Sequence, residues 1–88
     1  MNITAETAEK IQAYRAATIA QRTAYAAWQG TCRFTETDLR ADRYAAWQAA
    51  CAHTEAVYPV ARDAAIAHGG DALEVMMDVT LAHSEACL

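Results

Sequence analysis

Tyr25-Ala-Ala-Trp-Gln-Gly-Thr-Cys-Arg-Phe-Thr-Glu36 returns, nineteen residues further on, as Tyr44-Ala-Ala-Trp-Gln-Ala-Ala-Cys-Ala-His-Thr-Glu55. Tyr25, Trp28, Cys32, Thr35 and Glu36 thus correspond to Tyr44, Trp47, Cys51, Thr54 and Glu55. Nineteen residues at about 100° each leave about 100° of residual rotation, so one helix running through both copies would aim them at different faces. Two separate helices remove the conflict and let the copies face each other, or face copies of themselves. The polar run Thr35-Glu36-Thr37-Asp38 is the predicted turn, with Thr35 or Thr37 capping the second helix.

Upstream of the turn, a helix is predicted over about 4–33. Thr4 is its N-cap, and Glu6 and Glu9 are placed favourably in the first turns. Ile11, Tyr14, Thr18, Gln21, Tyr25, Trp28 and Cys32 step by three and four along one seam. Downstream, a helix over about 37–68 carries Arg40, Tyr44, Trp47, Cys51, Thr54, Tyr58, Ala61 and Ala65 at the same spacing. Pro59 removes a backbone donor inside it, which predicts a kink or short break near 55–59. Gly69-Gly70 stops this helix. Asp71 with Glu74 resembles a capping box and starts a third helix over about 71–87. Its apolar side is predicted to hold Leu73, Met76, Met77, Thr80, Ser84, Cys87 and Leu88, opposite an acidic stripe of Asp71, Glu74, Asp78 and Glu85.

Composition agrees with helices throughout. Alanine fills 23 of the 88 positions, and Pro59 is the only proline. A chain of this length makes a single helical domain, 1–88, with a modest core, so self-association is an expected further source of stability. The predicted architecture is an antiparallel hairpin of two long helices with a shorter amphipathic third helix, assembled as a dimeric bundle.

Net charge is −4, but it is unevenly distributed. Residues 1–34 carry Lys10, Arg15, Arg22 and Arg33 against Glu6 and Glu9, whereas residues 71–88 carry four carboxylates and no Lys or Arg. Arg15, Arg22 and Arg33 are separated by seven and eleven residues and return to nearly one face, a basic edge beside the aromatic seam. No dense basic face marks a nucleic-acid binder, and no run approaches the roughly 20 apolar residues of a membrane span. The start of the chain lacks the pattern of a signal peptide, and three cysteines without a Cys-x-x-Cys pair fit a reducing compartment, so the expected location is cytoplasmic. One Lys against six Arg, with abundant Ala, points to a GC-rich genome, actinobacterial or phage.

Chemistry is scarce. His83 and Cys87 stand four apart on the third helix, and Cys51 and His53 stand two apart, but neither pair supplies a full ligand set or a nucleophile with its base. No catalytic, cofactor-binding or metal residues are predicted, and Cys32, Cys51 and Cys87 are expected to act as small buried hydrophobes. A metal- or thiol-dependent site is the alternative those pairs leave open. The residues that stand out are Tyr14, Tyr25, Trp28, Tyr44, Trp47 and Tyr58. Such rings need partners for their polar atoms and are enriched at protein contacts. They are the predicted partner or dimer seam of a non-enzymatic interaction protein, an accessory or phage-encoded modulator of a host protein. The predicted partners are a second copy of the chain and an unidentified protein.

Trp28-Gln29-Gly30 resembles the Trp-x-Gly signature of small helical-hairpin proteins exported by type VII secretion. The similar length and Ala-rich helices extend the resemblance beyond these three residues. It implies an exported helical hairpin that pairs with a second small helical protein. The Trp-Gln pair recurs in this chain as Trp47-Gln48-Ala49.

Overall fold

The computed structural model describes residues 3–86, and the chain is all-α: α1 is Ala5–Gln29, α2 is Thr37–His68 and α3 is Asp71–Ala86. α1 and α2 form a long antiparallel hairpin, and α3 folds back along it, giving a rod of 51 × 20 × 15 Å. Thr4 caps α1 as its sequence position predicts, its hydroxyl accepting the Thr7 N–H at 3.3 Å.

α1 ends at Gln29 rather than near residue 33, so Cys32 and Arg33 belong to the turn and not to the helical seam. Gly30 closes the helix, its N–H bonding the Ala26 carbonyl at 3.0 Å. Neither Thr35 nor Thr37 caps α2; Glu36 holds that position without a side-chain cap bond. Its backbone N–H instead donates to the Cys32 carbonyl at 3.0 Å, while its carboxylate accepts the Cys32 N–H at 3.3 Å. Glu36 therefore ties the turn to itself.

α2 runs unbroken through Pro59. The carbonyl that loses its helical donor belongs to Glu55, an exposed residue, and Thr54, Ala61 and Ala65 are packed on either side of the proline. Gly69 and Gly70 reverse the chain with φ of 75° and 53°, a left-handed pair that side chains with a Cβ rarely adopt. The Gly70 carbonyl accepts the Glu74 N–H at 3.3 Å, and Asp71 is the first helical residue rather than a cap.

The core lies at the end of the rod where α3 packs. Ile11 and Tyr14 of α1, Ala61 and Ala65 of α2, and Ala72, Met76 and Val79 of α3 form one buried cluster, with Val57, Tyr58 and Val75 packed against it. Ala61, Ala65 and Ala72 are fully buried, so the three backbones approach closely and large side chains from α1 and α3 fill the remaining space. Two hydroxyls stitch the helices together. Tyr14 Oη pairs with Thr80 Oγ1 at 3.2 Å, and Thr54 Oγ1 donates to the Ala17 carbonyl of α1 at 3.2 Å.

The inward face of α3 is Ala72, Met76 and Val79, with Val75 beside it. The predicted apolar side is thus split: Met76 is inside, whereas Leu73 and Met77 are exposed. Cys87 and Leu88, also assigned to that side, lie outside the described residues.

Candidate functional site

Four repeat residues meet at the tip half of the hairpin. The rings of Trp28 and Trp47 stack with centroids 5.1 Å apart and planes 13° apart. Tyr25 packs on Trp47 at 5.5 Å, and its counterpart Tyr44 packs on Trp28 at 4.8 Å. Within each copy the tyrosine also meets its own tryptophan, at 5.8 Å in the first and 5.7 Å in the second. The copies therefore face each other within one chain, related by a local near-twofold that exchanges Tyr25 with Tyr44 and Trp28 with Trp47. Tyr14 and Tyr58 form a separate pair at 5.3 Å in the base half. The predicted seam is two clusters on two levels.

The repeat diverges after its shared Tyr-Ala-Ala-Trp-Gln. In the second copy Cys51, Thr54 and Glu55 continue the helix, whereas in the first Cys32, Thr35 and Glu36 form the turn. Cys32 is exposed, contrary to its expected role as a small buried hydrophobe, because α1 has already ended. A hydrogen bond from the Thr35 hydroxyl, then backbone N–H groups of Phe34 and Thr35, hold its thiol below the ordinary cysteine range.

Two arginines, Arg40 from the predicted α2 seam and Arg43, which periodicity left unassigned, support the floor of this cluster. Arg43 donates to the Ala27 carbonyl at 3.1 Å, and Arg40 to the Thr31 carbonyl at 3.3 Å. The last turn of α1 carries no basic residue, so α2 supplies cations to its electronegative end. Arg40 also lies 5.1 Å over the Trp28 ring. Arg-x-x-Arg ahead of Tyr44 is the sequence signal for both.

α3 determines what is covered. Its last turn reaches only the level of Gln21 and Cys51, which border one groove with His83. Below that level Tyr14 is 2 % exposed and Thr18 is 1 % exposed. Tyr25 stands seven residues beyond Thr18 and eleven beyond Tyr14, both nearly whole numbers of turns, so it points to the same side. There α3 is absent, and Tyr25 is 45 % exposed. Tyr44 occupies the matching place on α2, two heptads before Tyr58, and is 39 % exposed. Trp28 and Trp47 are half-buried between them. The tip is thus an open slot in a three-helix bundle, floored by aromatic rings. At about 1.5 Å per residue, the uncovered stretch is about 21 Å along α2, from Cys51 back to Thr37, but only about 12 Å along α1, from Gln21 to Gln29, the rest of that side being the turn.

The charged faces take different places. Arg15 and Arg22 border a shallow groove with Asp78 of α3, and Arg33 lies exposed in the turn. Glu74, Asp78 and Glu85 are exposed, and Asp71 is half-buried. Lys10 pairs with Glu6 at 3.1 Å and Arg62 with Asp63 at 3.2 Å, and neither ion pair joins the two predicted faces.

His83 and Cys51 line one groove, a proximity that sequence spacing did not reveal. Burial first, and repulsion from Arg22 second, push the imidazole below the ordinary histidine range and favour its neutral form. Among the described residues no three His, Cys, Asp or Glu side chains converge on a metal position. No described helix is long and apolar enough to cross a membrane.

The fold and site define a short helical bundle with an uncovered aromatic slot. Comparison with family models, curated proteins and solved structures gives no match.

Proposed function

We propose that this chain is a small non-enzymatic interaction module whose tip slot receives a helix from a protein partner. The observation that carries this reading is the aromatic quartet: two stacked tryptophans flanked by two half-exposed tyrosines, in the place a third helix would occupy. An apolar helical stripe laid into such a groove buries ring surface while each phenol or indole retains a route to a polar partner. Tyr and Trp are the residue types that dominate contact energies at such surfaces.

Photo-crosslinking tests it in the producing cell. A benzophenone amino acid replaces Tyr25 or Tyr44, with Ala45, on the exposed outer side of α2, as the control position. Adducts with a polypeptide should form from positions 25 and 44 and be scarce from 45. Equal yields from all three positions, or none from the slot, would sink the reading.

A second reading draws on the position of Trp28-Gln29-Gly30. Trp28 and Gln29 end α1, and Gly30 opens the hairpin turn, so the motif sits where the two long helices meet. This placement supports a helical-hairpin substrate of type VII secretion, which would accumulate in the culture filtrate alongside a second small helical protein. Retention with the cells, in a host with an intact export system, would remove it.

A further inference from the structure

The outer side of α3 carries a second uncovered apolar stripe. Leu73, Met77 and Leu81 are four residues apart, and all three are exposed, Met77 at 68 %. With Ile66 and Tyr58 of α2 they border a shallow groove of about 510 Å³. Ala72, Met76 and Val79 already hold α3 to its own hairpin, and this stripe, above all Met77 and Leu81, is left largely uncovered by that packing. Beside it on the same helix run Glu74, Asp78 and Glu85, also exposed.

Resting on the slot reading above, we infer that the helix received by the slot is α3 of a second copy of this chain, in a reciprocal antiparallel dimer. Three features fit. The open tip, about 21 Å along α2 from Cys51 to Thr37, approaches the length of α3, about 24 Å, with α1 and then the tip turn as its other wall. The slot has an aromatic floor, with Arg22 at its α3 end, where it already borders Asp78 of its own chain, and exposed Arg33 in the tip turn, while the outer face of α3 offers an apolar stripe with acidic residues alongside. When two rods lie face to face and antiparallel, the base of each meets the tip of the other. A twofold axis across the rods then places both α3 helices end to end in a shared middle layer. Each is held on its inner side by its own hairpin and on its outer side by its partner's aromatic floor. Leu73, Met77 and Leu81 cover the Tyr25/Trp28/Tyr44/Trp47 cluster, and the acidic row runs toward Arg22 and the tip-turn Arg33.

The whole face, 51 × 20 Å, sets a limit of about 1,000 Å² per protomer, so the proposed contact must engage most of it to reach the roughly 800 Å² per partner that stable complexes bury. The arrangement is isologous and closed, so it terminates at two copies.

Complementation between two disabled variants tests this geometry. Met77→Lys spoils the outer face of α3, and Tyr44→Lys spoils the slot. Each homodimer would lose both of its contacts. An equimolar mixture can form a heterodimer with one intact contact, the unaltered α3 of the Tyr44 variant in the unaltered slot of the Met77 variant. Sedimentation of the purified full chain at tens of micromolar should give about 19 kDa, twice the 9.5 kDa of the chain. Each variant alone should dissociate at least about tenfold more readily, the equivalent of about 1.4 kcal/mol, and the mixture should recover part of the dimer. Circular dichroism and thermal melts of each variant establish that it is folded. Met77 is the safer probe because its exposure keeps it out of the core.

A monomeric wild-type chain overturns the inference, as does a dimer that Met77→Lys leaves intact or a mixture no more associated than its components. A monomer whose positions 25 and 44 still cross-link to a different polypeptide in cells would retain the slot and exclude the second copy as its occupant. A dimer without adducts at those positions would reject the slot.

Discussion

The two halves of this rod use the same helices and similar rings, yet only one half is closed. At the base, Tyr14 lies under α3, bonds Thr80 and packs against Tyr58. At the tip, Tyr25 occupies nearly the same side of the same helix and leaves almost half of itself in solvent. The difference arises from the length of α3 and not from the character of the hairpin residues. A third layer buries what two layers only pair. The base therefore carries the stability of the fold, and the tip carries surface available for contact.

The largest test of this contrast is Tyr14→Ala against Tyr25→Ala. Removing the buried ring should cost about 3–5 kcal/mol, a large part of the stability of a small domain, whereas Tyr25→Ala should cost about 1 kcal/mol. Urea unfolding followed by circular dichroism gives both values. Similar losses would mean that the tip is as firmly built as the base.

A smaller effect is expected for the stacked tryptophans. Trp28→Ala and Trp47→Ala should each cost about 2 kcal/mol, less than full burial would demand, because both rings are only half-covered. Their double-mutant cycle should show a coupling of about 0.5–1.5 kcal/mol for the stacked contact. Additive losses would show that the two rings do not support each other in solution.

The turns at the two ends should also respond unequally. Gly69→Ala places a Cβ on a residue with φ of 75° and should destabilise by about 1–2 kcal/mol, loosening the reversal that delivers α3 to the base. Gly30 has helical angles, and an added Cβ would meet the Ala26 carbonyl oxygen at an ordinary 3.4 Å. Gly30→Ala should thus change the thermal midpoint little, by the equivalent of about 0.5 kcal/mol or less. A large loss at Gly30 would mean that the tip turn requires a conformation that only glycine supplies.

The smallest expected effect is chemical. Cys32 is exposed in the tip turn, with its thiol pKa held down by Thr35, so alkylation of Cys32 should accelerate at lower pH than for a free cysteine control. Thr35→Ala should move that profile back toward higher pH without altering the fold. Mass-spectrometric labelling across pH reads the site directly, and faster reaction at half-buried Cys51 would contradict the described turn.

Much of the hairpin was legible in the sequence. The duplicated Tyr-Ala-Ala-Trp-Gln required two helices, because its nineteen-residue offset is incompatible with one face of a single helix. The position of Thr4 and the glycine pair at 69–70 marked real boundaries, since capping and left-handed geometry depend on local chemistry. The aromatic seam was visible from its three-four spacing, and the shortness of the third helix from its bounds.

Tertiary structure alone decided which apolar side of α3 turns inward. Leu73, Met77 and Leu81 form as regular a stripe as Ala72, Met76 and Val79, and periodicity assigns no direction to either. Fully buried Ala61, Ala65 and Ala72 permit the close approach that selects the second stripe. The same holds at the turn, where Cys32 and Cys51 share a repeat position but not an environment. It holds again at the end of α1, where Arg43 from the facing helix serves the Ala27 carbonyl and Arg40 serves Thr31 of the turn just beyond. Local sequence sets the rotation of side chains along each helix, whereas burial depends on how far a neighbouring helix extends. The slot at the tip is where these two determinants part.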